Sequence, residues 1–188
     1  MSTPDTAPPL SARDRILAVA GPLFYRHGTR AIGIDRVIAE SGVAKATFYR
    51  HFPSKDDLIV AWVAASAERE AGAPPDVTAP RALSDWIDRL IESVRHPNCL
   101  GCPMQGTAAE FGEPDHPAHR AARAAKEATL AELAQRARME GLRDPDGTAA
   151  EAFLLAEGLL ASRRIFGRDA PIEAAGRALR RLVASART

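Results

Sequence analysis

The stretch that most constrains this chain is residues 42–55, Gly-Val-Ala-Lys-Ala-Thr-Phe-Tyr-Arg-His-Phe-Pro-Ser-Lys. Gly42 closes a helical pattern (Ile34, Val37, Ile38, Ser41) where the backbone must turn left-handed, and Val43 supplies an apolar plug for a tight turn. Beyond the turn Phe48 and Phe52 stand four apart on one helical face and point inward together. Lys45, Ala46, Tyr49 and Arg50 fall on the outward side. Pro53 stops this short helix, and Ser54 with Asp57 makes a capping box that starts the next, placing Lys55 at a positive helix N-terminus. This is helix-turn-helix grammar, and the basic, aromatic outer face is one that phosphates attract.

The rest of the chain reads as helical throughout. Ser11 with Asp14 caps a first helix whose Ile16, Ala20, Leu23 and Phe24 recur at helical spacing until Gly28. A fourth helix after Ser54 runs through Leu58, Ile59, Trp62 and Ala65 to about residue 70, and the Gly72-Ala-Pro-Pro75 cluster breaks it. Further helical patterns occupy roughly residues 80–95, 103–111, 116–141, 148–167 and 171–186, with no stretch of period-two alternation long enough for a strand. The expected fold is all-α. A three-helix helix-turn-helix domain over 1–55, with 1–10 as a flexible tail, is joined by the fourth helix to a second helical domain over 56–188.

Charge is distributed to match. Residues 11–55 carry eight Lys or Arg against three acids, whereas from Asp56 onward 17 basic residues meet 20 acidic ones, so the overall +1 hides a basic end suited to an anionic partner. No apolar run approaches the length of a membrane span, and residues 1–10 are polar and Pro-rich, so a cytoplasmic protein with no membrane partner is expected.

Phe24-Tyr25-Arg26-His27-Gly28, Ile34 to Val43, and Thr47-Phe48-Tyr49-Arg50-His51-Phe52-Pro53-Ser54-Lys55 with Leu58 together resemble the N-terminal domain of tetracycline-repressor-type (TetR family) regulators over roughly residues 11–60. The resemblance implies a transcription regulator, most often a repressor. It sets Lys45, Ala46 and Arg50 toward base edges in the major groove, where a cationic side chain donates to guanine and a methyl meets thymine. It also sets Thr47, Tyr49, His51 and Lys55 on backbone phosphates. Many relatives carry Thr or Ser where this chain has Gly33, so the phosphate contact of that hydroxyl falls to Arg36, one turn on.

So short a recognition helix touches few base pairs, which calls for two of them on a palindrome, held by a homodimer. Leu154, Gly158, Ala161 and Ile165 on one helix, and Ile172, Ala175, Gly176, Leu179, Leu182 and Val183 on the last, form stripes suited to a four-helix dimer interface or to the chain's own core. For a small, largely apolar effector the candidates are Trp86, Cys102, Met104, Phe111, Phe153 and Glu157, residues that equally furnish a plain helical core. No cofactor is expected. The rival reading is a thiol redox or metal sensor acting through Cys99 and Cys102, whose spacing suits a disulfide or a shared metal, with His96, His116 and His119 nearby in sequence. No Ser-His-acid set or Gly-rich phosphate loop supports an enzyme.

Overall fold

The structure, a computed structural model, describes residues 10–71 and 82–187. The expected flexible tail before residue 10, the break at Gly72 to Pro75 and the helix start at residue 80 lie outside them. The described residues form nine α-helices and no strand: α1 (Ala12–His27), α2 (Ile34–Ser41), α3 (Lys45–His51), α4 (Lys55–Ala71), α5 (Leu83–Arg95), α6 (Pro103–Glu110), α7 (Pro117–Met139), α8 (Pro145–Phe166) and α9 (Ile172–Arg187). A single 3-10 turn, Gly167–Asp169, links the last two.

The chain packs as two units, one ending at Trp62 and the other beginning at Val63. The N-terminal unit is built on α1. Ser11 caps it, its hydroxyl accepting from the Asp14 N–H at 3.1 Å, and Gly28 ends it at φ 81°. Ile16, Ala20 and Phe24 are buried along one stripe, against which α2 and α3 pack. The Trp62 ring meets Phe24 edge-on at 5.5 Å and lies over Gly21. The first two turns of α4 therefore belong to the N-terminal packing, although the sequence division between residues 55 and 56 assigns them to the second half.

The C-terminal unit encloses one apolar cluster. Leu83, Trp86, Ile87, Ile91 and Val94 of α5 meet Leu133 and Ala137 of α7, Ala149, Ala152, Ala156 and Leu159 of α8, and Leu179 and Val183 of α9. Alanines on α7 and α8 let these helices approach closely, and α7 with α8 is the most extensive helix pair in the unit. Helix α8 begins a turn earlier than its hydrophobic pattern indicates. Asp144 caps it by accepting from the Gly147 N–H at 3.0 Å, with Pro145 in the first turn, a start signal that outweighs Gly147.

Helix α5 has no capping side chain of its own, since its N-cap is Ala82. The end of α7 supplies one in trans: the Glu140 carboxylate accepts from the Ser84 N–H at 3.0 Å and the Ser84 hydroxyl at 2.6 Å, and pairs with Arg187 of α9. One carboxylate thus fastens three helices at a positive helix N-terminus. Burial pushes the Glu140 carboxyl up, but the Ser84 hydroxyl, the Ser84 N–H and Arg187 together hold it below its ordinary value. Glu140→Ala should cost about 1–3 kcal/mol in chemical denaturation at neutral pH. Because the folded value lies below the unfolded one, this contribution is complete above the unfolded carboxylate range and fades as pH falls through the folded value. The stability gap between the wild type and Glu140→Gln should therefore close in strong acid.

Candidate nucleic-acid interface

Helices α2 and α3 meet at Gly42, whose φ of 64° and ψ of 25° are left-handed and whose side-chain position faces open space. A substituted residue would fit there but would carry the strain of positive φ. Val43 tucks beneath the turn, nearly buried. Helix α3 has seven residues, too few to persist unsupported, and it is held from below: Phe48 and Phe52 are buried with ring centroids 6.0 Å apart. The Arg13 guanidinium lies 5.6 Å from the Phe52 ring centre, which ties the start of α1 to the end of α3.

With both phenylalanines turned inward, Lys45, Ala46, Tyr49 and Arg50 are exposed and Thr47 and His51 are half-buried on the flanks. The Tyr49 ring stands edge-on to Phe48 at 5.4 Å and 82°, and Tyr49 remains exposed. Three of the cations have protein partners. Lys45 lies 3.5 Å from Asp35 and Arg36 lies 2.7 Å from Glu40, both pairs exposed, and Lys55 donates to the Arg30 carbonyl at 3.2 Å. Exposed pairs of this kind are weak, so a phosphate can displace the carboxylates. Ser54 and Asp57 form the expected capping box, the Asp57 N–H donating to Ser54 Oγ at 3.1 Å and the Ser54 N–H to Asp57 Oδ2 at 2.9 Å.

In the C-terminal unit three of the six effector candidates converge, and they do so on a residue outside the sequence-derived set. Lys126 of α7 pairs with Glu157 of α8 at 2.6 Å, lies 5.8 Å from the Phe153 ring centre and bears on the thiol of Cys102. Gln105 of α6 fixes the same glutamate, donating at 2.9 Å to its carboxylate and at 3.1 Å to its backbone carbonyl. The side chains of Lys126 and Glu157 are 17% and 21% exposed. Burial lowers Lys126, but Cys102 and Glu157 outweigh it and raise it above its ordinary value, so the ammonium stays charged. A cation on the stripe Ala118, Ala122, Lys126, Thr129, Leu133 was the available signal in the sequence. Trp86 belongs to the apolar cluster, Met104 is buried, and Phe111 stacks on His116 at 4.2 Å.

Cys102 is fully buried as the N-cap of α6 and Cys99 packs against the apolar cluster; they form no disulfide. Among the described residues no three of His, Cys, Asp or Glu gather where a metal could be held. Before Cys102, Gly101 has φ 93°, and a side chain there would stand 2.7 Å from the Leu160 carbonyl of α8. Arg163 of α8 is buried and donates to the Val94 and His96 carbonyls at the end of α5.

The interface stripes separate. Gly176, Leu179 and Val183 are buried in the chain's own unit, Gly176 against Ile91, and Ile172, Ala175 and Leu182 are half-buried against the same cluster. This side of α9 faces α5, with Ile172, Ala175 and Leu182 keeping part of their surface open. On α8, by contrast, Leu154 is 68% and Ile165 73% exposed, with Gly158 exposed and Ala161 half-buried between them and Phe166 exposed beyond.

A helix-turn-helix unit followed by an all-helical unit defines a transcription regulator. Residues 16–62 match the family described as bacterial regulatory proteins, tetR family. The HTH-type transcriptional repressor SCO4008 of Streptomyces coelicolor is 30% identical over 94 residues, 49% of this chain and 47% of that protein, so the chain spans about half the length of this relative. Among solved structures, SCO4454, a TetR-family transcriptional regulator from Streptomyces coelicolor, has a TM-score of 0.77 at 28% identity, covering 94% of this chain and 96% of the other. A putative TetR regulator (sav143) from Streptomyces avermitilis has a TM-score of 0.74 at 29% identity, covering 95% and 100%. Residues 16–62 are a TetR-family DNA-binding domain, and over nearly the whole chain the fold is that of TetR-family regulators. Among the described residues no helix is long and apolar enough to cross a membrane.

Phe48→Ala should remove most of the support beneath α3. A destabilisation of the N-terminal unit of about 3–5 kcal/mol is expected, read as a lowered first transition in thermal or denaturant unfolding.

Proposed function

We propose that the protein is a cytoplasmic homodimeric repressor that binds a palindromic operator and leaves it when a small, largely apolar effector enters the C-terminal domain. The observation that carries this reading is the outward face of α3, where Lys45, Ala46, Tyr49 and Arg50 stand together over a phenylalanine base. Residues 1–55 contact DNA and residues 56–188 bind the effector and dimerise. Lys45, Ala46 and Arg50 read base edges, and Arg36, Thr47, Tyr49, His51 and Lys55 hold phosphates, for which Lys45 and Arg36 exchange Asp35 and Glu40 and Lys55 its carbonyl partner.

Dimerisation runs along the exposed side of α8 through Leu154, Gly158, Ala161 and Ile165. So long an apolar stripe left in water calls for a partner, and the glycine in its middle allows a second α8 to cross closely. Release is a shift of population: an effector that binds better when the two recognition helices are misspaced weakens DNA binding by the same coupling energy, about 1–3 kcal/mol.

Fluorescence anisotropy with selected and random duplexes tests the DNA reading. A log-log salt slope near −5 is expected if about six phosphates are neutralised per dimer. Tyr49→Ala or Lys55→Ala should weaken all duplexes alike, while Arg50→Ala should narrow the gap between selected and random sites. Equal wild-type affinity for both kinds of duplex would remove the operator reading. In sedimentation the wild type should be a dimer at micromolar concentration. Ile165→Glu should give a folded monomer, whereas Leu179→Glu, which puts a charge into the chain's own core, should unfold the C-terminal unit. A wild-type monomer would end the dimer reading.

A further inference from the structure

The effector reading, on which this inference rests, is deepened by the cluster of Lys126, Glu157, Gln105, Cys102 and Phe153. An ammonium on an otherwise alanine-rich helix face is a costly thing to withdraw from water, and here it is 17% exposed and kept charged. Its counter-ion, Glu157, is not free to follow it: Gln105 holds that residue twice, from a different helix. Three helices thus meet at a single cation whose other neighbours are the Phe153 ring and the Cys102 sulfur, the latter helping Glu157 to keep it charged. A fixed ammonium beside an aromatic ring, already held by one carboxylate, suits a molecule with an apolar body and one anionic end.

We infer that Lys126 receives the head group of the effector, and that this head group is a carboxylate which takes the place of Glu157 on the ammonium. The exchange conserves charge, because one carboxylate replaces another and the displaced Glu157 turns to solvent. Its route is short. Glu157 is already 21% exposed and precedes Gly158, whose side-chain position is open space. Glu157 also follows Leu154 by three residues, so the released carboxylate stands beside the exposed apolar stripe of α8. Arrival of an anion between α7 and α8 thereby places a charge next to the surface on which the two copies meet, once in each subunit. Gln105 gives up the carboxylate and keeps the Glu157 backbone carbonyl, so α6 stays against α8.

The test compares 4-phenylbutyrate with its neutral isostere 4-phenylbutanamide on the full chain, by calorimetry, thermal shift and operator release. The carboxylate should bind the wild type about tenfold more tightly than the amide, the size of one charge-assisted hydrogen bond. Glu157→Gln leaves the ammonium without its competitor and should tighten 4-phenylbutyrate further while leaving the amide unchanged. Lys126→Met/Glu157→Gln, which avoids stranding the glutamate, should bind both compounds alike, and Lys126→Met alone should do the same if circular dichroism shows it folded. Equal binding of acid and amide to the wild type, or an unchanged preference in the double variant, would overturn the inference, as would a wild type that responds to neither compound. Operator release by neutral apolar compounds in a protein indifferent to the carboxylate would overturn it while leaving the effector reading intact. A protein whose operator affinity no small molecule alters would remove both.

Discussion

A seven-residue helix does not hold its shape in water by its own hydrogen bonds, and the burial of Phe48 and Phe52 is what keeps α3 in place. The outward display of Lys45, Tyr49 and Arg50 follows from that anchoring, because fixing two side chains four residues apart fixes the rotation of the helix. The remaining parts of the N-terminal unit serve the same end: Gly42 aims α3 from α2, Arg13 lies over Phe52, and Trp62 packs edge-on against Phe24 of α1.

The C-terminal unit solves a different problem with different means. It has few aromatic residues and many alanines, so its helices come close but bury little area per residue. Polar fastenings make up part of the difference: Glu140 across α5, α7 and α9, Arg163 across α5 and α8, and the Lys126 cluster across α6, α7 and α8. Each spans residues far apart in sequence, and in the Lys126 cluster removal of one partner leaves a largely buried charge unpaired.

How far the sequence could be read depended on the range of the interactions involved. Gly42, the Ser11 and Ser54 caps and the Phe48/Phe52 pair are local signals, with both partners within four residues, and the structure shows all of them in the expected roles. The start of α8 at Asp144-Pro145 was equally local, but the helical pattern read from the sequence begins only at about residue 148. Long-range contacts were a different matter. Nothing in the neighbourhood of Leu179 says that its stripe faces α5 and not a second chain, because core and interface demand the same residue types. Lys126 is easily passed over for the converse reason: its place on the inward stripe is a signal, but a lysine in an alanine-rich helix reads as solvent-exposed until its partners on α6 and α8 are in view.

Gly101 sets how motion passes between these helices. Its positive φ and the 2.7 Å that would separate a side chain from the Leu160 carbonyl bring two backbones into contact without intervening side chains. Side chains between helices act as compliant spacers, absorbing small displacements by changing rotamer, whereas touching backbones have no such slack. The turn that carries Cys102 and the start of α6 therefore rides on the middle of α8 as one rigid piece. A tilt of α8 at this level is handed to α6 in full and in step, so the fold contains a direct-drive joint in a unit otherwise assembled from yielding parts.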